Sequence, residues 1–323
     1  MREALDISIV IPVYNEEESL EELYHWILRV METNSYRYEL LLIDDGSYDQ
    51  SWEKIRKLSS QNASVAGIRL SRNYGKSAAL SVGFGHTSGE VVITMDADLQ
   101  DDPEEIPAMV DMLKAKQLDL VSGWKQRRKD PISKTLPSKF FNWTTRIISG
   151  IKLHDFNCGF KAYRSDVVKQ LAIYGEMHRY IPLIAKWNGF NAIAEKPVTH
   201  HPRKYGVTKF GFERFIRGFL DLLSITFVSK FKKRPMHFFG AFGTISFLTG
   251  FIITMWIIGE KLYFRWFLNQ APARDVVEQP LFFLALLAVI VGVQLFLAGF
   301  ISELITQNSS QTNDYVLRDK VGL

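Results

Sequence analysis

Short apolar runs alternate with amphipathic stretches over the first two fifths of the chain, and two much longer apolar runs lie near its end. Residues 7–13, 38–43, 65–70, 91–95 and 118–123 are mostly β-branched or otherwise apolar, and each is short enough to be a strand buried on both faces. Between them, residues 17–31 carry Leu20, Leu23, Ile27 and Val30 at helical spacing, and 49–60 and 76–87 read as further helices. Regular βα alternation predicts right-handed crossovers and a mostly parallel sheet flanked by helices, an α/β doubly wound layout. The two long runs, 235–259 and 280–302, are of a different kind. At 1.5 Å per residue the first extends about 37 Å, enough to cross a hydrocarbon core with some tilt. The expected division is therefore a globular domain over 1–210, an amphipathic helix and basic flank over 211–234, two membrane spans within 235–302, and a tail over 303–323.

Candidate chemistry collects where strands end. The run 91–95 passes directly into Asp96-Ala97-Asp98-Leu99-Gln100, and the run 38–43 into Asp44-Asp45-Gly46-Ser47. In an open parallel sheet ligands sit beyond the carboxyl ends of the strands, so Tyr14, Glu16, Asp44, Asp45, Asp96 and Asp98 should converge on one rim. Carboxylates crowded together repel one another, and a cation is the usual resolution. Oxygen ligands on a short turn suit Mg²⁺ or Mn²⁺, with substrate phosphate oxygens completing the sphere. Asp44 has a second reading, as the cap of its own turn.

Composition narrows this only a little. The net charge of +4 over 323 residues gives no sign of nucleic-acid binding. One cysteine, Cys158, precludes an intrachain disulfide and fits a reducing compartment; its expected role is packing rather than reactivity. Residues 1–6 are polar and the first apolar run is broken by Pro12, so no secretory signal is expected.

The order of the motifs carries more. Ile11-Pro12-Val13-Tyr14-Asn15-Glu16, then Asp44-Asp45-Gly46-Ser47, then Asp96-Ala97-Asp98-Leu99-Gln100 with Asp102-Pro103-Glu104 close behind, resembles the family 2 glycosyltransferases of GT-A fold. More narrowly it resembles the polyprenyl-phosphate glycosyltransferases, among them the dolichol-phosphate mannose synthases and bacterial enzymes that charge undecaprenyl phosphate. The resemblance implies that Pro12, Tyr14, Glu16, Ile43 and Asp45 line a nucleoside pocket. It implies that Asp96, Ala97, Asp98 and Gln100 hold ribose and metal, the metal being a Lewis acid for the departing nucleoside diphosphate.

Further along, Trp124-Lys125-Gln126-Arg127-Arg128-Lys129 places cations just past a strand end, where phosphate binding competes with the reading of a solvated loop. By the resemblance Lys125 serves the donor and Arg127 and Arg128 the acceptor phosphate, although relatives commonly carry Arg at Lys125. Residues 134–151 interleave Phe140, Phe141 and Trp143 with Lys139 and Arg146, which fits either a core helix or one lying in a membrane surface. Asp155, in Asp155-Phe156-Asn157-Cys158-Gly159-Phe160, matches the position proposed in relatives as catalytic base. An acceptor phosphate is already anionic near neutral pH, so Asp155 either takes a proton or orients a substrate. Arg203 and Lys209, on a loop with Gly206 and Thr208, would close over the diphosphate. The pair His200-His201 lacks a third ligand at suitable spacing and is not expected to bind a metal.

Lys230, Lys232, Lys233 and Arg234 precede the first span, whereas the loop between the spans balances three cations against three acids. The positive-inside rule then expects the globular domain and both termini in the cytoplasm. The expected function is inverting transfer of a sugar from a nucleotide-sugar, best guessed as UDP-linked, to a polyprenyl phosphate, best guessed as undecaprenyl phosphate. Relatives also suggest a homo-oligomer. Two alternatives stand beside it: a processive polysaccharide synthase, whose Gln-x-x-Arg-Trp segment has no counterpart here, and a non-catalytic membrane scaffold or lipid-binding protein on the same fold.

Overall fold

The computed structural model describes residues 5–126, 142–205 except 144 and 148, 235–269, 275–308 and 315–323. The strands are β1 (Ile7–Val13), β2 (Tyr38–Asp44), β3 (Val65–Leu70), β4 (Val91–Thr94), β5 (Leu120–Trp124), β6 (Lys161–Arg164), β7 (Ile193–Pro197) and β8 (Leu317–Val321). They form one sheet in the order β7-β5-β6-β4-β1-β2-β3-β8. The half built from β4, β1, β2 and β3 is parallel throughout; β6 runs antiparallel to both neighbours, and β8 antiparallel to β3. Two reversals restore direction, so β5 points the same way as β4, and β7 follows β5 in parallel.

Period-two alternation divides the core between the two faces. On β1, Ile7, Ile9, Ile11 and Val13 enter one cluster with α1 (Leu20–Thr33), α2 (Ser51–Gln61) and α4 (Ile106–Ala115), while Val10 enters the other. The second face meets α3 (Lys76–His86), α5 (Ser165–Lys169) and α6 (Ile181–Trp187) through Ala79, Leu80, Val167 and Leu183. Each fully buried aliphatic side chain stabilises this three-layer arrangement by about 1.5–3 kcal/mol relative to exposure.

Beyond the sheet, α7 (Pro235–Trp266) and α8 (Pro280–Asn308) are each long and apolar enough to cross a membrane. They pack on one another through buried Ile257 and Ala285, with Ser246 Oγ donating to the Ala288 carbonyl at 2.8 Å. Most of their large side chains stay exposed, Trp256 and Leu287 among them, as suits contact with lipid rather than protein. The chain divides into two compact units, Met1–Ile225 with Asn313–Leu323, and Thr226–Thr312. Residues 303–323, set apart above as a tail, thus do two things: α8 continues to Asn308, and Leu317–Val321 returns as an edge strand on β3. No alternation announces β8, because it is the edge strand beside β3 and Arg318, Asp319 and Lys320 remain exposed. Arg127, Arg128, Gly206, Thr208, Lys209 and residues 211–234 lie outside the described residues.

Candidate active site

Register alone brings the motifs to one rim. Val13 pairs with Asp44 across β1 and β2, and Val10 with Thr94 across β1 and β4, so the turns after the three strands open side by side. They are knitted together: Asn15 N–H donates to Ser47 Oγ (2.9 Å), Tyr48 N–H to Asn15 Oδ1 (3.0 Å) and Glu16 N–H to Ser51 Oγ (2.9 Å). Gly46, at φ +72, makes this turn possible, since a Cβ there would lie 2.5 Å from the Arg72 backbone.

The two acids of the second turn do different work. Asp44 is fully buried, accepts the Ser47 N–H at 2.9 Å and pairs with Arg69 at 3.1 Å, which makes it the cap of its own turn. Asp45 accepts the backbone N–H groups of Tyr74 (2.8 Å) and Gly75 (2.9 Å), and so holds the entrance of α3. Lys76 follows immediately and bonds the Asp96 carboxylate. Tyr14 is exposed on the rim and meets Tyr48 edge-on at 6.1 Å between ring centres. Pro12 is half-buried beside it, but Ile43 is fully buried in the core against α3 and presents no side chain to the cleft. Ala97 is likewise packed inward.

Around the β4 turn, positive and negative groups interleave. Lys125 pairs with Asp101 at 3.1 Å, and Asp101 accepts the Asp96 N–H at 3.2 Å. Arg203 lies 3.3 Å from Glu16 and 3.9 Å from Asp98. Burial works against ionisation of Asp96, but the charges of Lys76 and Lys125 outweigh it and hold this carboxyl below the usual carboxylate range. Asp98 goes the other way: burial first, then the like charges of Asp96 and Asp101, raise its pKa. Glu16 is also raised, by burial with Asp98 adding repulsion, against the pull of Arg203. Gln100 N–H donates to Asp98 Oδ1 at 3.2 Å, and its amide reaches the His201 carbonyl at 3.4 Å. His201 is itself bound to Asp102 (3.0 Å).

Asp155 is buried beyond β4 and accepts the Asn157 N–H at 3.1 Å. Cys158 is buried with its thiol pushed up to about 12 by burial, so it is a packing residue. Gly159 stands directly against Asp96, where a Cβ would come within 2.8 Å of Oδ2. Lys161 is buried, donates to the Cys158 carbonyl and has its pKa lowered by that burial.

Among the described residues no three His, Cys, Asp or Glu side chains already form a ligand cluster. The donor chemistry nevertheless fits a divalent ion. Asp98 is a half-buried carboxylate whose pKa is raised by desolvation first and then by the like charges of Asp96 and Asp101, crowding that a cation would relieve. Lys76, Asp101 and Gly159 have no assigned role in the motifs. The first could have been found from sequence, because Gly75-Lys76 follows the third strand as the other site turns follow theirs.

The parallel half-sheet with its flanking helices and the antiparallel β6 give a GT-A-like fold. Solved structures agree: a glucosyl-3-phosphoglycerate synthase from Mycobacterium tuberculosis in complex with UDP matches with a TM-score of 0.53 at 22% identity, over 69% of this chain and 80% of that one. The Glycosyl transferase family 2 model matches residues 8–172, and the chain belongs to that family. It is 34% identical over 322 residues to a dodecaprenyl-phosphate galacturonate synthase of Rhizobium johnstonii, covering 98% of this chain and 93% of the relative. It is also 42% identical over 221 residues to an undecaprenyl-phosphate 4-deoxy-4-formamido-L-arabinose transferase of Shewanella sediminis, covering 68% and 66%. The protein is thus a glycosyltransferase carrying two candidate membrane helices, and its relatives are polyprenyl-phosphate sugar transferases.

Proposed function

We propose that the protein transfers a sugar from a nucleotide-sugar to a polyprenyl phosphate with inversion, at the cytoplasmic face of a membrane. The observation that carries this reading is the rim itself: Glu16, Asp98 and Asp101 interleaved with Lys76, Lys125 and Arg203 beyond parallel strands, in a chain with two apolar spans. Tyr14 and Pro12 offer a nucleoside an exposed, partly apolar ledge, and Glu16 a carboxylate for a ribose hydroxyl.

Asp98, with Asp96 and the Gln100 amide oxygen beside it, would hold Mg²⁺ or Mn²⁺. Such an ion supplies Lewis-acid stabilisation of the leaving diphosphate. A glucosyl-3-phosphoglycerate synthase of this fold has been crystallised with Mn²⁺ and UDP-glucose. Arg203 serves the diphosphate together with Lys209, and Lys125 steadies Asp101 and Asp96 behind it. Asp155 orients the acceptor on the far side of the sugar. A phosphate nucleophile needs little deprotonation, and positioning both reactants at one cleft supplies much of the rate. The basic segment before the first span and the neutral loop between the spans support a cytoplasmic transferase domain through the positive-inside rule.

The test is transfer itself. Purified protein with Mg²⁺, undecaprenyl phosphate and a panel of radiolabelled nucleotide-sugars should carry one label into the organic phase. No transfer from any donor, with correctly folded protein, would overturn the proposal.

A further inference from the structure

Trp124 and His154 form a structure that the motifs leave unassigned. Their rings stack nearly parallel, 4.2 Å between centres at 15°. Glu195 on β7 grips the histidine twice: it accepts the His154 backbone N–H at 2.6 Å and the ring Nδ1. A carboxylate only accepts, so Nδ1 carries a proton and the outward edge of the ring is Nε2. That edge has no hydrogen-bond partner among the described residues, and half of the side chain is exposed while Glu195 is mostly buried. A ring held flat on an indole and fixed at one nitrogen is preorganised to offer the other to a ligand.

The place of this plate in the fold suggests which ligand. Trp124 ends β5, which points the same way as β4, so the plate stands on the rim that carries Asp96. Each ring is one residue from the site: Lys125 follows Trp124 and pairs with Asp101, and buried Asp155 follows His154. The plate lies on the β5–β7 side of the acids, with the Tyr14 ledge on the β1–β2 side. We propose that His154, stacked on Trp124 and oriented by Glu195, binds the phosphate monoester of the lipid acceptor through Nε2. This rests on the polyprenyl-phosphate acceptor proposed above. With Glu195 fixed on Nδ1, a phosphate at Nε2 would complete the hydrogen bonding of the ring from its exposed edge.

The experiment compares retention of undecaprenyl phosphate and undecaprenol by the full-length protein in detergent, read by native mass spectrometry. Nucleoside diphosphate binding reports on folding. Wild type should prefer the phosphate, and His154→Ala should cut that preference about tenfold, the worth of one charge-assisted hydrogen bond. Donor binding should be unchanged. His154→Gln, whose amide N–H reaches the place of Nε2, should recover part of the preference, and Glu195→Gln should fall between the two. In turnover the loss should appear in the acceptor KM rather than in kcat. Undiminished preference in both His154→Ala and Glu195→Gln would overturn the inference alone. A wild type with no preference for the phosphate would overturn the acceptor reading and this inference together.

Discussion

The two halves of the sheet reach the same rim by different routes. On the β1–β2–β3 side each site residue sits at the end of its own strand or in the turn beyond it, and neighbouring turns bond one another, as Asn15 does with Ser47 and Asp45 with Gly75. On the β5–β6–β7 side the antiparallel β6 intervenes, and groups that meet, such as Trp124, His154 and Glu195, come from separated stretches. The first half is a set of mutually bonded turns, the part to which the proposed function assigns the nucleotide. In the second, the antiparallel β6 separates β4 from β5, so the groups on that side are not delivered by successive parallel strands.

That contrast can be broken most severely at the acids where the halves join. Asp98→Asn should lower transfer by a factor on the order of 10²–10³, measured as kcat, because the proposed divalent ion would lose its anchor. Its thermal midpoint should not fall. The native pKa of Asp98 is raised, so the folded protein holds that proton more tightly than the unfolded chain, and ionising Asp98 at neutral pH costs stability. Unchanged turnover would remove Asp98 from the metal site.

Next comes Gly159→Ala, on the second half but pressing on the first. The added Cβ would meet Asp96 Oδ2 at 2.8 Å, and displacing that carboxylate should cost about 10²-fold in activity with donor KM raised. Lys76→Met probes the same carboxylate from the other side. Asp96 is held low by Lys76, so its contribution to stability is present above the unfolded pKa and lost as pH falls through the folded one. Without Lys76 that loss begins at higher pH, and the acid-unfolding midpoint should move up; an unmoved midpoint would deny the pairing. The smallest effect belongs to the sheet edge. Removing residues 315–323 uncovers β3, and should lower the thermal midpoint by a few degrees, about 1 kcal/mol in a domain of this size, with transfer largely kept.

The same difference explains what the sequence disclosed. Strands β1 to β5 are legible because continuous apolar runs mark strands buried on both faces, and the acids that follow β2 and β4 fall where parallel topology puts ligands. Strands β6, β7 and β8 are not. Lys161–Arg164 is four residues with a cation at each end, and Ile193–Pro197 and Leu317–Val321 are short, partly exposed and charged. Their pairing is decided by tertiary contacts rather than by pattern. Ile43 and Ala97 show the limit within a motif: core packing turns these two side chains inward, although each stands within a motif at the end of its strand. Lys76 shows the converse, a site residue at a helix entrance that apolar periodicity counts only as the start of a helix.

The central claim is that the acids gathered beyond β1, β2 and β4 bind a nucleoside diphosphate through a divalent ion. Calorimetric titration of the full-length protein in detergent with UDP, GDP and CDP, with Mg²⁺ and then with excess chelator, tests it most directly. One nucleotide should bind with Mg²⁺, lose most of its affinity on chelation, and fail to bind Asp98→Asn under either condition. Equal binding with and without the metal, in both wild type and Asp98→Asn, would contradict the account.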